Sequence, residues 1–150
     1  MRFRFLSIVV AFGLAAMGVA QDAPTIEGRW QAVELETSGQ KDDPKAAKNF
    51  KAFIGPDQIV FRPTNSITRK ATIKLDAKKS PNTIDMTILL EGDKPGKTVR
   101  GIYLLEKDKL RICFPNFDSD AKGRPTEFKT KAGDGFTLIT LTRLAPIKKQ

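Results

Sequence analysis

Short segments in which apolar and polar residues alternate are the feature that most constrains the fold of this chain. In the segment 69–76, Ala71, Ile73 and Leu75 share one side of an extended backbone. Such alternation over about four to eight residues, bounded by Gly, Pro, Asn or Asp, is typical of half-buried antiparallel strands. The pattern predicts eight strands: Gly28–Glu36, Gln58–Arg62, Arg69–Asp76, Thr83–Glu91, Thr98–Leu105, Lys109–Phe114, Pro125–Thr130 and Gly135–Arg143.

The connections between these segments decide how the strands pair. Most of them are too short for a crossover helix, so we expect neighbouring strands to be antiparallel. The longest connection follows the first strand, where Asp43 before Pro44 predicts an N-cap and a short helix over Pro44–Phe50. An antiparallel series of this size removes its exposed edges by closing into an up-and-down barrel. A two-layer sandwich is the alternative.

The first twenty residues have the pattern of a secretory signal peptide. Two arginines precede an apolar run over 5–19, and the small residues Gly18 and Ala20 suit a cut between Ala20 and Gln21. The run is shorter than the ~20 residues of a membrane-spanning helix, and an uncleaved anchor is the alternative. We therefore expect a secreted or periplasmic protein without stable membrane insertion after cleavage. Its parts would be a signal peptide over 1–20, a barrel domain over 21–144 and a polar tail over 145–150.

Residue types that are rare or absent exclude several chemistries. The chain has no histidine and a single cysteine, Cys113. A His-based catalytic pair, a His or thiolate zinc site and an intrachain disulfide are therefore excluded. Cys113 lies in an apolar strand, which indicates a buried side chain rather than a reactive thiol. We expect no enzyme activity, no catalytic residue, no metal and no cofactor.

Two sets of carboxylates are candidate acid–base groups. Asp85 lies between apolar residues and is either a perturbed general acid or part of an ion pair with Arg100 or Arg111. Cross-strand ion pairs are the commoner arrangement. Glu34 and Glu36 could form the carboxylate pair of a glycosidase, but any two residues at i and i+2 on a strand meet that distance. Neither set therefore predicts a catalytic site.

The formal net charge of +9 raises the question of nucleic-acid binding. Nucleic-acid binding needs clustered cations and exposed aromatic side chains. In this chain the basic residues are spread along the sequence and the aromatic residues fall in apolar strands. We expect no nucleic-acid partner. Acidic polymers or anionic lipid headgroups of a cell envelope suit an exported basic protein better.

The two ends of the strand series carry residues that should meet. In an eight-stranded up-and-down barrel the first and last strands are antiparallel neighbours. Trp30, near the start of the first strand, is therefore expected to lie beside Arg143, at the end of the last. The guanidinium can then lie on the indole face. Gly28 allows close backbone approach, so the three residues would close one end of the barrel.

These residues also carry a resemblance to a known group. Gly28-Arg29-Trp30 with Arg143 resembles the structural signature of the lipocalin and wider calycin superfamily. More of the chain is similar to a narrower group, the uncharacterised lipocalin-like domains of planctomycete bacteria, which often follow a signal peptide. The matching segments are Ile26–Trp30, Lys79–Asp85, Gly101–Tyr103, Leu110–Phe114, Arg124–Phe128 and Leu141–Arg143. The resemblance implies a lipocalin-like barrel and export, and it transfers no catalytic or binding residue.

The predicted strand order also orients the loops. If Trp30 and Arg143 close one end, the segments expected at the open end are 37–50, 77–81, 106–109 and 131–135. Lysines in these segments would form a mildly basic rim that could favour an acidic amphiphile, although a solvated surface explains them equally simply. The candidate ligand-binding residues of this rim are Lys78, Lys79, Lys107 and Lys109.

The interior of the barrel decides between two functions. A barrel of eight strands is filled by its own side chains or holds one small ligand. The first function is binding of a small apolar or amphiphilic ligand at the barrel mouth. The alternative is a packed, ligand-free barrel that acts as an envelope structural or protein-interaction module. The pattern indicates no particular oligomeric state.

Overall fold

The computed structural model describes residues 25–148, so the predicted signal peptide and its cleavage point lie outside the described residues. The strands are β1 (Gly28–Thr37), β2 (Gln40–Lys41), β3 (Lys51–Ile54), β4 (Gln58–Arg62), β5 (Arg69–Asp76), β6 (Asn82–Leu89), β7 (Pro95–Glu106), β8 (Lys109–Pro115) and β9 (Phe136–Arg143). A helix, α1, spans Pro44–Ala47, and a 3-10 turn spans Glu91–Asp93. Within 25–148, no helix has the length and apolar character needed to cross a membrane.

The sheet is antiparallel throughout and closes on itself. β1 pairs with β3, the strands from β3 to β9 pair in chain order, and β9 returns to pair with β1. β2 pairs only with Glu36 and Thr37 at the end of β1. The other eight strands form a closed antiparallel barrel of lipocalin-like type, which confirms the predicted fold class.

One predicted strand is absent and one barrel strand was not predicted, so the number of barrel strands still agrees. Residues 125–130 form no strand. Instead, Lys51–Ile54 form β3, which pairs with β1 on one side and β4 on the other. Ala52, Phe53 and Ile54 are apolar in succession, so β3 lacks the alternation that marks the other strands, and its conformation depends on pairing with its neighbours. The predicted helix is correspondingly shorter and ends at Ala47, although the Asp43 carboxylate caps it as expected by accepting from Lys45 N at 2.7 Å.

The unpredicted strand β3 reverses the direction of every strand between it and β8. The chain turns at 55–57 beside Gly28, because Ile54 is the cross-strand partner of Gly28. The turns 77–81 and 107–108 consequently lie at the Trp30 end of the barrel. The turns 63–68 and 90–94 and the long loop 116–135 lie at the opposite end. The expected placement of 63–68, 77–81, 92–97, 106–109 and 115–124 is therefore corrected, whereas 37–50 and 131–135 lie at the end where they were predicted.

Trp30 is the largest fully buried side chain of the interior. The indole is fully buried, and its cross-strand partner in β3 is Ala52, whose small side chain leaves room for the ring. Large and small residues alternate in this way in close-packed interiors. Further fully buried side chains in this core are Ile59, Ile84, Met86, Leu110, Ile112 and Leu141.

Candidate ligand site at the open end of the barrel

One end of the barrel is closed by Arg143. Its guanidinium carbon lies 4.2 Å from the centroid of the Trp30 ring, so the predicted contact is present. The same guanidinium donates to the backbone oxygens of Glu27 at 2.6 Å and Thr25 at 2.9 Å. Its Nε lies 3.3 Å from the Asp108 carboxylate. These bonds hold the segment before β1 against this end.

Gly28 is required where β1 passes Arg143. Its φ of +135° is a conformation that side chains with a Cβ rarely adopt. A Cβ at this position would also lie 2.9 Å from a guanidinium nitrogen of Arg143. The glycine therefore permits both the backbone conformation and the close packing of the guanidinium.

The predicted rim lysines lie at this closed end. Lys78 and Lys79 are in the turn after β5, and Lys107 and Lys109 flank the turn between β7 and β8. All four side chains are exposed, and none lines the apolar cavity at the other end. The topology thus contradicts their expected position at the open end, and their role in ligand binding stays a prediction.

An apolar cavity of about 250 Å³ opens at the opposite end. Phe50, Phe61, Phe114 and Phe117 line it and contact one another, with ring centroids 5.5–6.3 Å apart. Edge and offset contacts at this spacing are favourable between aromatic rings. The cavity volume is slightly below the ~300 Å³ of a pocket for a drug-sized molecule, so it suits a small ring or a short alkyl chain.

An ion pair lies across the lip of the cavity. Arg69 donates two hydrogen bonds to the Asp118 carboxylate, at 3.1 and 3.0 Å. Asp118 is positioned by Asn116, whose side-chain oxygen accepts from the Asp118 backbone N–H at 2.9 Å. These two are the only charged residues among those lining the cavity.

Arg69 lies on the inner face of β5 at the opening of the cavity, where its side chain is partly exposed. It is the cross-strand partner of Phe61, and it lies two residues before the buried Ala71 on β5. The sequence indicates this position for Arg69, because alternation places it on the same face of β5 as the apolar Ala71 and Ile73. The signal was missed because the start of β5 was assigned to the closed end. Asp118 and Phe117 had no sequence signal beyond their place in a loop.

The other candidate carboxylates have structural partners. Asp85 lies opposite Arg100 in register, but it pairs with Arg124 at 2.8 Å. Arg124 also donates to the Gly101 backbone oxygen at 2.7 Å and so fastens the long loop to β6 and β7. An ion pair was expected for Asp85, but its partner was not among the two arginines considered.

Glu34 and Glu36 have separate partners. Lys41 lies 2.8 Å from Glu34, and the hydrogen bond to this carboxylate raises the pKa of Lys41. Glu36 accepts a hydrogen bond from the Thr130 hydroxyl. The two carboxylates thus hold β2 and the long loop against β1.

Cys113 is buried on the outer face of the barrel, beneath the long loop. It packs with Ile102, Leu138 and the ring of Phe128. Burial raises the pKa of the Cys113 thiol to about 11, so the neutral thiol predominates at pH 7. Across 25–148, no group of three or more acidic or cysteine side chains is arranged to hold a metal ion.

Comparisons with protein-family models, curated proteins and solved structures find no match for this chain. The resemblance to planctomycete lipocalin-like domains therefore stays a prediction. The chemistry of the site is therefore inferred from its geometry. Four phenylalanine rings line the cavity, and the cation Arg69 lies at its opening.

Proposed function

We propose that the barrel binds a small acidic amphiphile, with its apolar part among the four phenylalanines and its acidic group at Arg69. The observation that carries this proposal is the lining of the cavity, which is apolar except for polar groups at its lip. Burying an alkyl chain there supplies about 25 cal/mol per Å² of apolar surface. A carboxylate on Arg69 adds charge-assisted hydrogen bonds and sets the orientation.

The Arg69–Asp118 pair supports the choice of an acidic group. It shows that Arg69 can hold a carboxylate through two hydrogen bonds at the mouth. The side chain of Asp118 is 71% exposed and that of Arg69 is 35% exposed. Exposed ion pairs contribute about 0–1 kcal/mol, so a ligand carboxylate can replace Asp118 at little cost.

Calorimetric titration with octanoate and octanol tests this proposal. We expect octanoate to bind more tightly than octanol, and Arg69→Gln to weaken octanoate by about tenfold while leaving octanol unchanged. Asp118→Asn should strengthen octanoate binding, because it removes the competing carboxylate. Arg62→Gln is the matched control, since Arg62 ends the neighbouring strand and stacks on Phe53 instead of lining the cavity.

Two results would overturn the proposal. One is the absence of binding of either probe at millimolar concentration, and the other is an equal loss in the Arg62 and Arg69 variants. Absence of binding would favour the second function, a packed barrel that serves as an envelope structural or protein-interaction module. The buried apolar core that includes Trp30 is the observation that supports that alternative.

The proposed setting is outside the cytoplasm. It rests on the pattern of the first twenty residues, which predicts export. A barrel with a continuous apolar core can be stable there without cross-links.

A further inference from the structure

A second surface of the barrel combines free cations with a row of hydroxyls. It lies on the outer face of β5, β6 and β7, away from the apolar cavity. Thr72, Thr87 and Thr98 are direct cross-strand partners, and the hydroxyls of Thr87 and Thr98 are 2.7 Å apart. Because neighbouring strands are about 4.8 Å apart, the backbones of the three threonines span ~10 Å across the sheet.

The next row along the strands carries the charges. Lys74, Asp85 and Arg100 are cross-strand partners there. Asp85 is engaged by Arg124, so its carboxylate does not pair with Arg100. Within the described part of the chain, neither Lys74 nor Arg100 is within ion-pair distance of an acidic group.

Two adjoining clefts make this face concave. One of about 550 Å³ lies over the threonine row and is lined by two cations, Lys74 and Arg100, and by two carboxylates, Asp57 and Asp85. The other, about 320 Å³, lies between β7 and the long loop and adds Lys97 and Lys122. Thr98 and Arg100 line both clefts, so the two clefts adjoin at these residues, and together they are called the trough here.

We propose that this trough binds an acidic polysaccharide, a polymer of sugars that carry carboxylates. Sugar hydroxyls and threonine hydroxyls both donate and accept hydrogen bonds, so the row of threonines suits the sugar rings. Lys74, Arg100 and Lys122 suit the carboxylates by charge. Four cations line the two clefts against two carboxylates, Asp57 and Asp85, and this excess of positive charge favours a polyanion. The trough has no exposed aromatic side chain on which nucleobases could stack, so a sugar polymer fits it better than a single-stranded nucleic acid.

Affinity electrophoresis in gels containing polygalacturonate tests this proposal. We expect the protein to be retarded by polygalacturonate and not by neutral dextran. Substituting Arg100→Gln together with Lys122→Gln should weaken binding by about tenfold. Substituting Lys107→Gln together with Lys109→Gln removes the same charge from the closed end and should change binding much less.

The threonine row provides a test that leaves net charge unchanged. Thr87→Val should weaken binding to polygalacturonate by about threefold, and it should not affect binding to polyacrylate, which carries carboxylates but no sugar hydroxyls. Urea denaturation of each variant confirms that the barrel remains folded.

The proposal is overturned if the Arg100/Lys122 and Lys107/Lys109 double variants lose equal affinity for polygalacturonate. That result would show that binding depends only on the net charge of the protein. The proposal is also overturned if polyacrylate or single-stranded DNA binds as tightly as polygalacturonate. None of these results depends on octanoate binding, so the proposal for the trough and the proposal for the apolar cavity can be overturned independently.

Discussion

At the scale of single residues, Arg143 joins parts of the chain that are distant in sequence. Its guanidinium contacts the Trp30 ring in β1, two backbone oxygens before β1, and Asp108 in the turn before β8. One side chain therefore fixes the closure of the barrel and the position of the preceding segment. Arg69 lies at the other end of the barrel. Among the described residues its only charged partner is the exposed Asp118.

Cys113 makes the stability of the barrel depend on pH. Burial raises the folded-state pKa of its thiol from 9.0 to about 11, so the unfolded chain loses the thiol proton at a lower pH. The contribution of the buried neutral thiol to the free energy of unfolding is complete below pH 9. It is lost as the pH rises from about 9 to about 11, at up to ~1.4 kcal/mol per pH unit. Urea denaturation from pH 8 to 10.5 measures it.

The control for this prediction is Cys113→Ala. Burial also raises the pKa of Tyr103, so the relevant quantity is the difference in unfolding free energy between wild type and Cys113→Ala. We expect the stability advantage of wild type to shrink as pH rises. A difference that stays constant across the range would show that the thiol is not shielded from water in the folded protein.

At the scale of elements, the sequence predicts long strands well and short or covered segments poorly. Arg69–Asp76 has enough alternating residues to be recognised, and the structure has the same bounds. Lys51–Ile54 is held in place by pairing on both sides, and no four-residue pattern reveals that. Residues 125–130 resemble a strand in sequence but form none. Pro125 and Thr130 are buried because the segment packs on the outside of the barrel.

One missed strand also displaced the candidate site. The direction of each later strand depends on the number of strands before it, so omitting β3 assigned five turns or loops to the wrong end. The contact between Trp30 and Arg143 was predicted correctly, because it depends only on the first and last strands. The position of the ligand site depends on every strand between them.

The long loop 116–135 acts as a cover for the outer face of β7, β8 and β9. Phe128 packs over Ile102, Cys113 and Leu138, and Arg111 lies 4.9 Å from its ring centroid. We predict that Phe128→Ala costs about 1–3 kcal/mol, less than truncation of a fully buried ring. It should also speed labelling of Cys113 by a thiol reagent about tenfold, because the cover opens locally.

Phe53→Ala is the matched control for the loop. Phe53 is also half-buried and stacks beneath an arginine, Arg62, but it lies on β3, away from Cys113. The control should leave the rate of thiol labelling unchanged. Equal labelling rates in wild type and Phe128→Ala would mean that the loop does not shield the thiol.

At the scale of the whole molecule, the two ends of the barrel have separate tasks. At the closed end Trp30 is fully buried beneath Arg143, whereas at the open end the same apolar core leaves a cavity lined by the half-buried Phe117. Stability should therefore depend mainly on one end, and ligand affinity on the other. Effects at sites that share no contacts are usually additive.

This separation predicts opposite outcomes for two aromatic substitutions. Trp30→Ala should cost ~3–5 kcal/mol of unfolding free energy, and Trp30→Phe should cost less while leaving octanoate affinity unchanged. Phe117→Ala should weaken octanoate binding by about fivefold and cost at most about 1 kcal/mol of stability. Urea denaturation and calorimetry on the same samples measure both quantities. Two results would contradict this division between the ends of the barrel. One is a loss of unfolding free energy below about 1 kcal/mol in Trp30→Ala, and the other is a loss of octanoate affinity in Trp30→Phe.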